Sequence, residues 1–419
     1  MKNLIEQLKC KFVGQSCIES TDKNNTDNSI SVKTQSEWGN TLFFISFGIY
    51  LAYSILNMSL YSKFLVNAHR VIFILCFAIV GVYEVRKFSY KNNKELVLSL
   101  FFIFVLLFYM YIVGGAEFVV IFAFIYSARG MDFKRIARFS ILISSIALGF
   151  VIISSFIGII PNIANMHHGK LRYNLGFRGM LYAPQFLFNI TALILYERGS
   201  KINWMQILFL FLLNVGMFFL TDSRLSFYLS LLILFADIIL KIFPNLLTCN
   251  KVIKVVCLIL SFSYIFVCIF SLYATIEYGN VAWLSKLDKL VDGRLCLGKE
   301  ALMTFGISLL ANKNTVWIGN GLDAMGNLPT GKYIYADNLY IHILLTYGVI
   351  FLVVYVILFT LVLFKCLKKK EHHLFIILVA LAFRGFIDDL SFYLCYNTFV
   401  LLIGSMLISP KFPTNYSEP

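Results

Sequence analysis

Five arginines stand beside residues that bend the backbone or carry negative charge. Arg172-Tyr173-Asn174-Leu175-Gly176-Phe177-Arg178 sets two guanidinium groups around a glycine, and Tyr182-Ala183-Pro184-Gln185 follows. Leu220-Thr221-Asp222-Ser223-Arg224 sets a third in a short turn between two apolar runs. A fourth, in Asp292-Gly293-Arg294, heads a segment whose apolar residues Leu295, Ala301, Leu302 and Phe305 recur at helical spacing, and Arg384 precedes the pair Asp388-Asp389. A guanidinium stays charged and offers a planar fork of donors, which suits a diphosphate or another planar anion better than the point charge of lysine. The bland alternative for each is snorkelling to lipid headgroups, and for Thr221 or Asp222 the capping of the next helix.

A base for such chemistry is available in Asp337, followed by Asn338-Leu339-Tyr340-Ile341-His342 where apolar sequence resumes. Two readings of Asp337 stand side by side. As a carboxylate tuned by partial burial and nearby arginines it takes a proton from an attacking hydroxyl; as a plain helix cap it is favoured at an N-terminus. His342 lies about one helical turn further on the same face, as a functional group or as a hydrogen-bonding partner for another helix. His167-His168 has no third ligand at metal spacing, and nine scattered cysteines offer no close pair, so neither a metal, nor a disulfide framework, nor a cofactor is expected.

The elements that must position these residues are membrane helices. The chain is 59% hydrophobic and 14% charged, with mean hydropathy +0.79, far from the balance of soluble domains. A net charge of +14 would suit nucleic acid, but the basic residues fall mostly in short loops between apolar runs, the pattern that orients a membrane protein. Nucleic-acid binding is therefore not expected. The reading is an all-α polytopic membrane protein of about twelve spans, several near the minimum crossing length of roughly 17 residues. The spans fall at 41–59, 70–85, 95–113, 115–128, 136–160, 179–196, 203–221, 225–243, 252–275, 338–364, 372–387 and 390–409, with Gly114-Gly115 dividing the third from the fourth.

This gives a polar tail at 1–38, expected to be disordered, nine spans within 39–275, one large polar connection at 276–337, three spans within 338–409 and a tail at 410–419. Short loops such as Lys368-Lys369-Lys370 put both termini in the cytoplasm and the connection outside. All five arginines then emerge on one outer face. Asp237, Asn189, Asn214 and Asn397, inside spans, read as partners for neighbouring helices.

Taken together, Arg172 to Phe177 with Pro184, Asp222-Ser223-Arg224, Asp292-Gly293-Arg294, Gly319-Asn320-Gly321 and Asp337-Asn338-Leu339-Tyr340 followed by Tyr347-Gly348 resemble the O-antigen ligase and Wzy-type polysaccharide polymerase superfamily. The resemblance runs from the first span onward and is carried by order and spacing, since each motif is only a few residues long. It implies a GT-C-like glycosyltransferase of the bacterial cytoplasmic membrane, without metal, acting on an undecaprenyl-diphosphate-linked glycan donor and acceptor. Partners would be membrane lipid, a flippase and a chain-length regulator. Ligases of the superfamily carry a histidine late in the large outer loop; here Asp337 occupies the corresponding position, which moves the base role to a carboxylate. The implied catalytic residues are Asp337 and Arg294, and the implied substrate ligands are Arg172, Arg178, Arg224, Arg384, Tyr340 and His342. Trp283, Trp317 and Tyr340 are flat surfaces for sugar rings or anchors at the membrane interface. A polymerase is the leading expectation, a ligase of finished glycan the near rival, and a lipid-linked oligosaccharide flippase the rival from another class. The sequence has no internal repeat of the kind transporters use.

Overall fold

Long apolar runs cannot leave their backbone groups unpaired in lipid, and the helix satisfies them within one segment. In the computed structural model, which describes residues 26–87, 97, 100, 101, 103–105, 107–109, 111, 116–167 and 169–408, helices supply almost all regular structure. They are α1 (Thr26–Asn57), α2 (His69–Lys87), α3 (Ala116–Ser127), α4 (Phe133–Phe156), α5 (Tyr182–Arg198), α6 (Trp204–Thr221), α7 (Arg224–Ile242), α8 (Lys251–Leu260), α9 (Ser263–Ile276), α10 (Ala282–Leu290), α11 (Arg294–Phe305), α12 (Leu339–Lys368) and α13 (His372–Arg384). Among the described residues one two-stranded antiparallel hairpin joins them, β1 (Ala164–His167) with β2 (Lys170–Tyr173). By contacts the chain divides into residues 1–41 and 42–419; the architecture below concerns the second unit.

Among the described residues six helices are long and apolar enough to cross a membrane, and α8 with α9, bent by 51° at Ser261–Phe262, makes a seventh if the pair is one span. The protein is membrane-embedded and all-α. Several expected spans are shorter or differently built than anticipated. Helix α1 begins at Thr26, inside the stretch expected to be a disordered tail. Residues 1–25 and 409–419 lie outside the described residues, as do Gly114, Gly115 and much of the third expected span.

Helix α5 is the hub, with most of its side chains buried on every face and α4, α6, α7 and α13 packed around it. Two asparagines secure it: Asn189 Nδ2 donates to Thr398 Oγ1 at 3.2 Å, and Asn214 on α6 donates to Thr191 Oγ1 at 3.1 Å. Asn397 bonds within its own segment instead, to the Ser391 carbonyl at 2.8 Å. Asp237 on α7 meets His373 Nδ1 on α13.

The last expected span, 390–409, is the main departure. It is built of short turns, Leu390–Phe392, Thr398–Leu401 and Ile403–Leu407, and Leu394, Cys395, Tyr396 and Leu401 within it are fully buried. Enclosure by protein is what permits irregular backbone there: Asn189 Oδ1 accepts from Thr398 N–H and Asn397 Oδ1 from Phe399 N–H.

Helix α12 holds a second irregularity. At Gly348 the backbone turns to φ 86°, ψ 173°, a region essentially restricted to glycine, and a Cβ there would lie 2.4 Å from the Leu310 carbonyl oxygen. The break frees four backbone groups, and the connection preceding α12 satisfies them. Val349 and Ile350 N–H donate to the Ser308 and Leu309 carbonyls at 3.1 and 3.2 Å, while the Thr346 carbonyl accepts from Asn312 N–H at 3.1 Å and the Leu345 carbonyl from Thr315 Oγ1 at 2.9 Å. Gly348→Ala is therefore expected to lower stability by about 1–3 kcal/mol, read as a drop in the thermal unfolding midpoint of the protein in detergent. An unchanged midpoint would refute the proposed tightness of this junction.

Candidate functional site

The segments named from sequence meet at one end of the helices. Asn174 organises the first: its Oδ1 accepts from Ile163 N–H at 2.8 Å and from Gly176 N–H at 3.2 Å, closing the turn after the hairpin. Arg172 precedes that turn, and its Nε donates to the Thr221 carbonyl at 2.7 Å, which draws the hairpin onto the junction of α6 and α7. At that junction Asp222 ends α6 in the left-handed region, φ 46°, a conformation aspartate tolerates better than most residues. Neither Thr221 nor Asp222 caps α7, since Thr221 Oγ1 donates back to the Met217 carbonyl. Asp222 is shared between Lys170 at 3.6 Å and Arg224 at 3.7 Å, and the Arg224 side chain is 52% exposed.

Arg294 is the first residue of α11, as its glycine neighbour and the apolar spacing imply. The cap comes from an unforeseen source: Asp288 Oδ1 on α10 accepts from Leu295 and Cys296 N–H at 2.8 and 3.2 Å. This leaves the Arg294 guanidinium with the Val291 carbonyl at 3.1 Å and a loose contact of 3.9 Å to Asp292, its Nε without a partner. Arg172, Arg224 and Arg294 share one electrostatic neighbourhood. Burial, the largest influence, pulls the Arg172 guanidinium below its ordinary range; Asp222 and Asp292 oppose this, and Arg224 and Arg294 add to it. Three cations held mostly by carbonyls, with only loosely paired carboxylates among them, leave donors free for an anion.

The helix-cap reading of Asp337 is overturned by its neighbour. Asn338, not Asp337, caps α12, its Oδ1 accepting from Tyr340 and Ile341 N–H at 3.0 and 3.2 Å while its Nδ2 donates to the Phe386 carbonyl at 2.9 Å. Asp337 is half-buried and receives the Tyr333 hydroxyl at 3.2 Å. Burial foremost raises its pKa above the ordinary carboxylate range; Arg294 opposes the rise and the charge of Asp388 adds to it. Arg294 thus stands between the arginine group and the carboxylate.

The remaining expected ligands are placed differently. Arg178 leaves the arginine group: its Nη2 faces Met58 Sδ at 3.7 Å, its N–H donates to the Met58 carbonyl, and its carbonyl accepts from Leu322 N–H at 2.8 Å. Its charge reaches Tyr53 and Tyr182 rather than Arg172. Tyr340 is fully buried and donates to the Ala382 carbonyl at 2.9 Å, so it belongs to the packing between α12 and α13 rather than to a ligand surface. His342 is also buried, stacked on Trp317 with ring centroids 4.8 Å apart, its Nδ1 lying 3.6 Å from Asp389. Trp317 donates to Thr346 Oγ1 at 3.0 Å, which fixes it as a wall. Arg384 is 2% exposed: Nε donates to Asp388 at 2.9 Å, Nη2 to Ser226 Oγ at 3.0 Å, the guanidinium covers the Phe188 ring, and Nη1 has no partner. The side chains of His167 and His168 lie outside the described residues.

Asp388 and Asp389, which the sequence shows only as a pair after Arg384, complete the site with Tyr333 and Tyr335, which no motif marks. Asp389, 1% exposed, accepts from Tyr335 at 2.6 Å, and Tyr333, Tyr335 and Asp337 alternate along the extended stretch that bridges Ile318 to Ile334. That period of two before a helix start was the available signal. Beside the site an apolar groove of about 440 Å³ lies between α7, α9 and α13, lined by Leu225, Leu229, Phe266, Phe270 and Phe383, with Arg384 also in its wall.

No protein-family model, no curated protein and no solved structure matches the chain.

Burial pushes Asp389 well above the ordinary 3.8, and the charges of Asp388 and Asp337 add to this. A carboxyl whose folded pKa is raised contributes stability at acid pH that is lost as pH rises through the raised value. Asp389→Asn keeps the acceptor for Tyr335 and removes the titration. The variant is therefore expected to unfold at or above the wild-type temperature in mildly alkaline buffer and to lose the wild-type decline with rising pH. A variant less stable than wild type at alkaline pH would mean that the ionised carboxylate is held favourably.

Proposed function

We propose that the chain is a membrane glycosyltransferase that polymerises undecaprenyl-diphosphate-linked oligosaccharide repeat units on the outer face of the bacterial cytoplasmic membrane. The proposal carries with it a GT-C-like arrangement of about twelve spans, both termini cytoplasmic and the connection 276–337 outside. The observation that carries the reading is the grouping of Arg172, Arg224 and Arg294, drawn from three separate connections, with Arg294 also acting on the partly buried carboxylate of Asp337. The apolar groove supports it, because a lipid diphosphate has an apolar chain and an anionic head, and Arg384 is among the residues that line this groove.

In this reading the acceptor hydroxyl oxygen attacks the anomeric carbon of the donor sugar, and Asp337 takes the hydroxyl proton. The new glycosidic bond forms as the bond from the anomeric carbon to the diphosphate oxygen breaks, and the electron pair leaves with the diphosphate. Arg172, Arg224 and Arg294 stabilise the charge that develops there; preorganised donors of this kind are worth roughly 10²–10³ in rate each. Since the leaving group is already good, the remaining demands are a base, worth roughly 10²–10⁴, and alignment of two lipid-borne substrates. Asp388 holds the Arg384 guanidinium, and the Tyr333 hydroxyl holds the Asp337 carboxylate.

The test is elongation by purified protein in detergent, given lipid-linked repeat units and no nucleotide sugar. Wild type is expected to lengthen them, and Arg294→Ala and Asp337→Ala to lower the rate by at least about 10². Since the Asp337 pKa is raised and the base form is ionised, the rate should fall on acidification at a pH above the ordinary carboxylate range, and this limb should vanish in Asp337→Ala. Transfer to a different acceptor without elongation would mark a ligase. If Arg172→Ala, Arg224→Ala, Arg294→Ala and Asp337→Ala all kept full activity in folded protein, the site assignment would be overturned.

A further inference from the structure

The connection between α11 and α12 carries a feature that the chemistry above does not use. Its segment Gly306-Ile307-Ser308-Leu309-Leu310 is not helical, yet Ile307 and Leu309 are 54% and 65% exposed and Leu310 37%. Single exposed apolar side chains are ordinary, but three close together in one fixed segment make a contiguous apolar patch of the kind that marks an interaction surface. Their backbone is fixed, because the Ser308 and Leu309 carbonyls and Asn312 N–H are the partners of the break at Gly348. Asn312 Nδ2 closes the segment on the Phe305 carbonyl at 3.0 Å.

We infer that Ile307, Leu309 and Leu310 form a wedge inserted into the bilayer at the border of hydrocarbon and headgroups, so that the membrane itself holds the long connection by its middle. Two observations choose lipid as the occupant. First, the wedge is bonded to α12 at Val349 and Ile350, from which the exposed row Ile350, Val353, Val354 and Ile357 continues along the lipid-facing side of that span. The apolar surface of the wedge therefore extends a lipid surface already present. Second, the residues that follow are those of an interface: Lys313 Nζ sits 4.3 Å over the ring of Tyr111, which is 77% exposed. Lysine and tyrosine anchor at headgroup level, with the apolar stem inward and the polar tip in water. Irregular backbone at this depth is tolerated because α12 supplies its hydrogen bonds. The inference depends on the membrane character of the chain and not on the proposed reaction.

The experiment places tryptophan at Leu309, and separately at Ile307, in the full chain reconstituted in vesicles of phosphatidylcholine brominated on the acyl chains. The four native tryptophans are accounted for by the wild-type protein, and Met325→Trp, in the exposed part of the same connection, serves as the aqueous control. The expected result is that the emission added at Leu309→Trp is blue-shifted and largely lost in brominated relative to ordinary vesicles, while that added at Met325→Trp is quenched by aqueous iodide and not by bromine. Quenching of both the 307 and 309 tryptophans by iodide alone would overturn the inference. So would protection from both quenchers together with a dimeric mass, which would put a second copy on the wedge.

Discussion

The architecture is governed by the rule that a peptide group away from water must find a partner inside the protein. Unbroken helices obey it automatically, and the functional end of this molecule is built where they do not. At Gly348 the partner is the preceding connection; in the stretch after α13 it is a set of asparagines, Asn189, Asn397 and Asn338, each bonding backbone of a neighbouring turn or helix. Remove those side chains and the irregular backbone has no place among apolar helices. The candidate site depends on this in turn, because Asp388, Asp389 and the start of α12 are positioned by segments that are not regular helix.

A second constraint is how charge is held. Exposed ion pairs contribute little, and the arginine group shows few tight ones: Arg172 and Arg294 rest on carbonyl oxygens, and Arg224 shares Asp222 at a loose distance. Carbonyl partners orient a guanidinium without neutralising it. Arg384 is treated in the opposite way, buried and bonded to Asp388 and Ser226. A buried pair of this kind is costly to break and fixes geometry more than it adds stability, which matches its place where α5, α7 and α13 meet. The same type of residue therefore serves as free donor in one place and as structural rivet in another.

Much of the helical frame was legible in the sequence, since runs such as 203–221 and 225–243 match α6 and α7 almost residue for residue. The helical start at Arg294 followed from Gly293 and the apolar spacing. What escaped was decided by partners remote in sequence. Asp337 and Asn338 are adjacent and both suited to a cap, and only the position of the Phe386 carbonyl, which holds the Asn338 amide, separates their roles. The stretch 390–409 is apolar enough for a span, but its asparagine bonds to Ser391 and its glycine, Gly404, packs on the Ile125 carbonyl, contacts that composition does not record. Arg172 and Arg178 read as a pair, yet the turn at Leu175-Gly176, with both residues at positive φ, sends them to different neighbours.

The break at Gly348 also bears on the order in which the molecule is made. The carbonyls that complete α12 belong to residues 308 and 309, which leave the ribosome before the helix that needs them. When the second half of α12 begins to form, its missing acceptors already exist in the chain ahead of it. Until that half forms, water can satisfy the same carbonyls. Direction of synthesis and direction of need coincide, and the assembly of the last membrane segments is thereby given a sequence in time as well as in space.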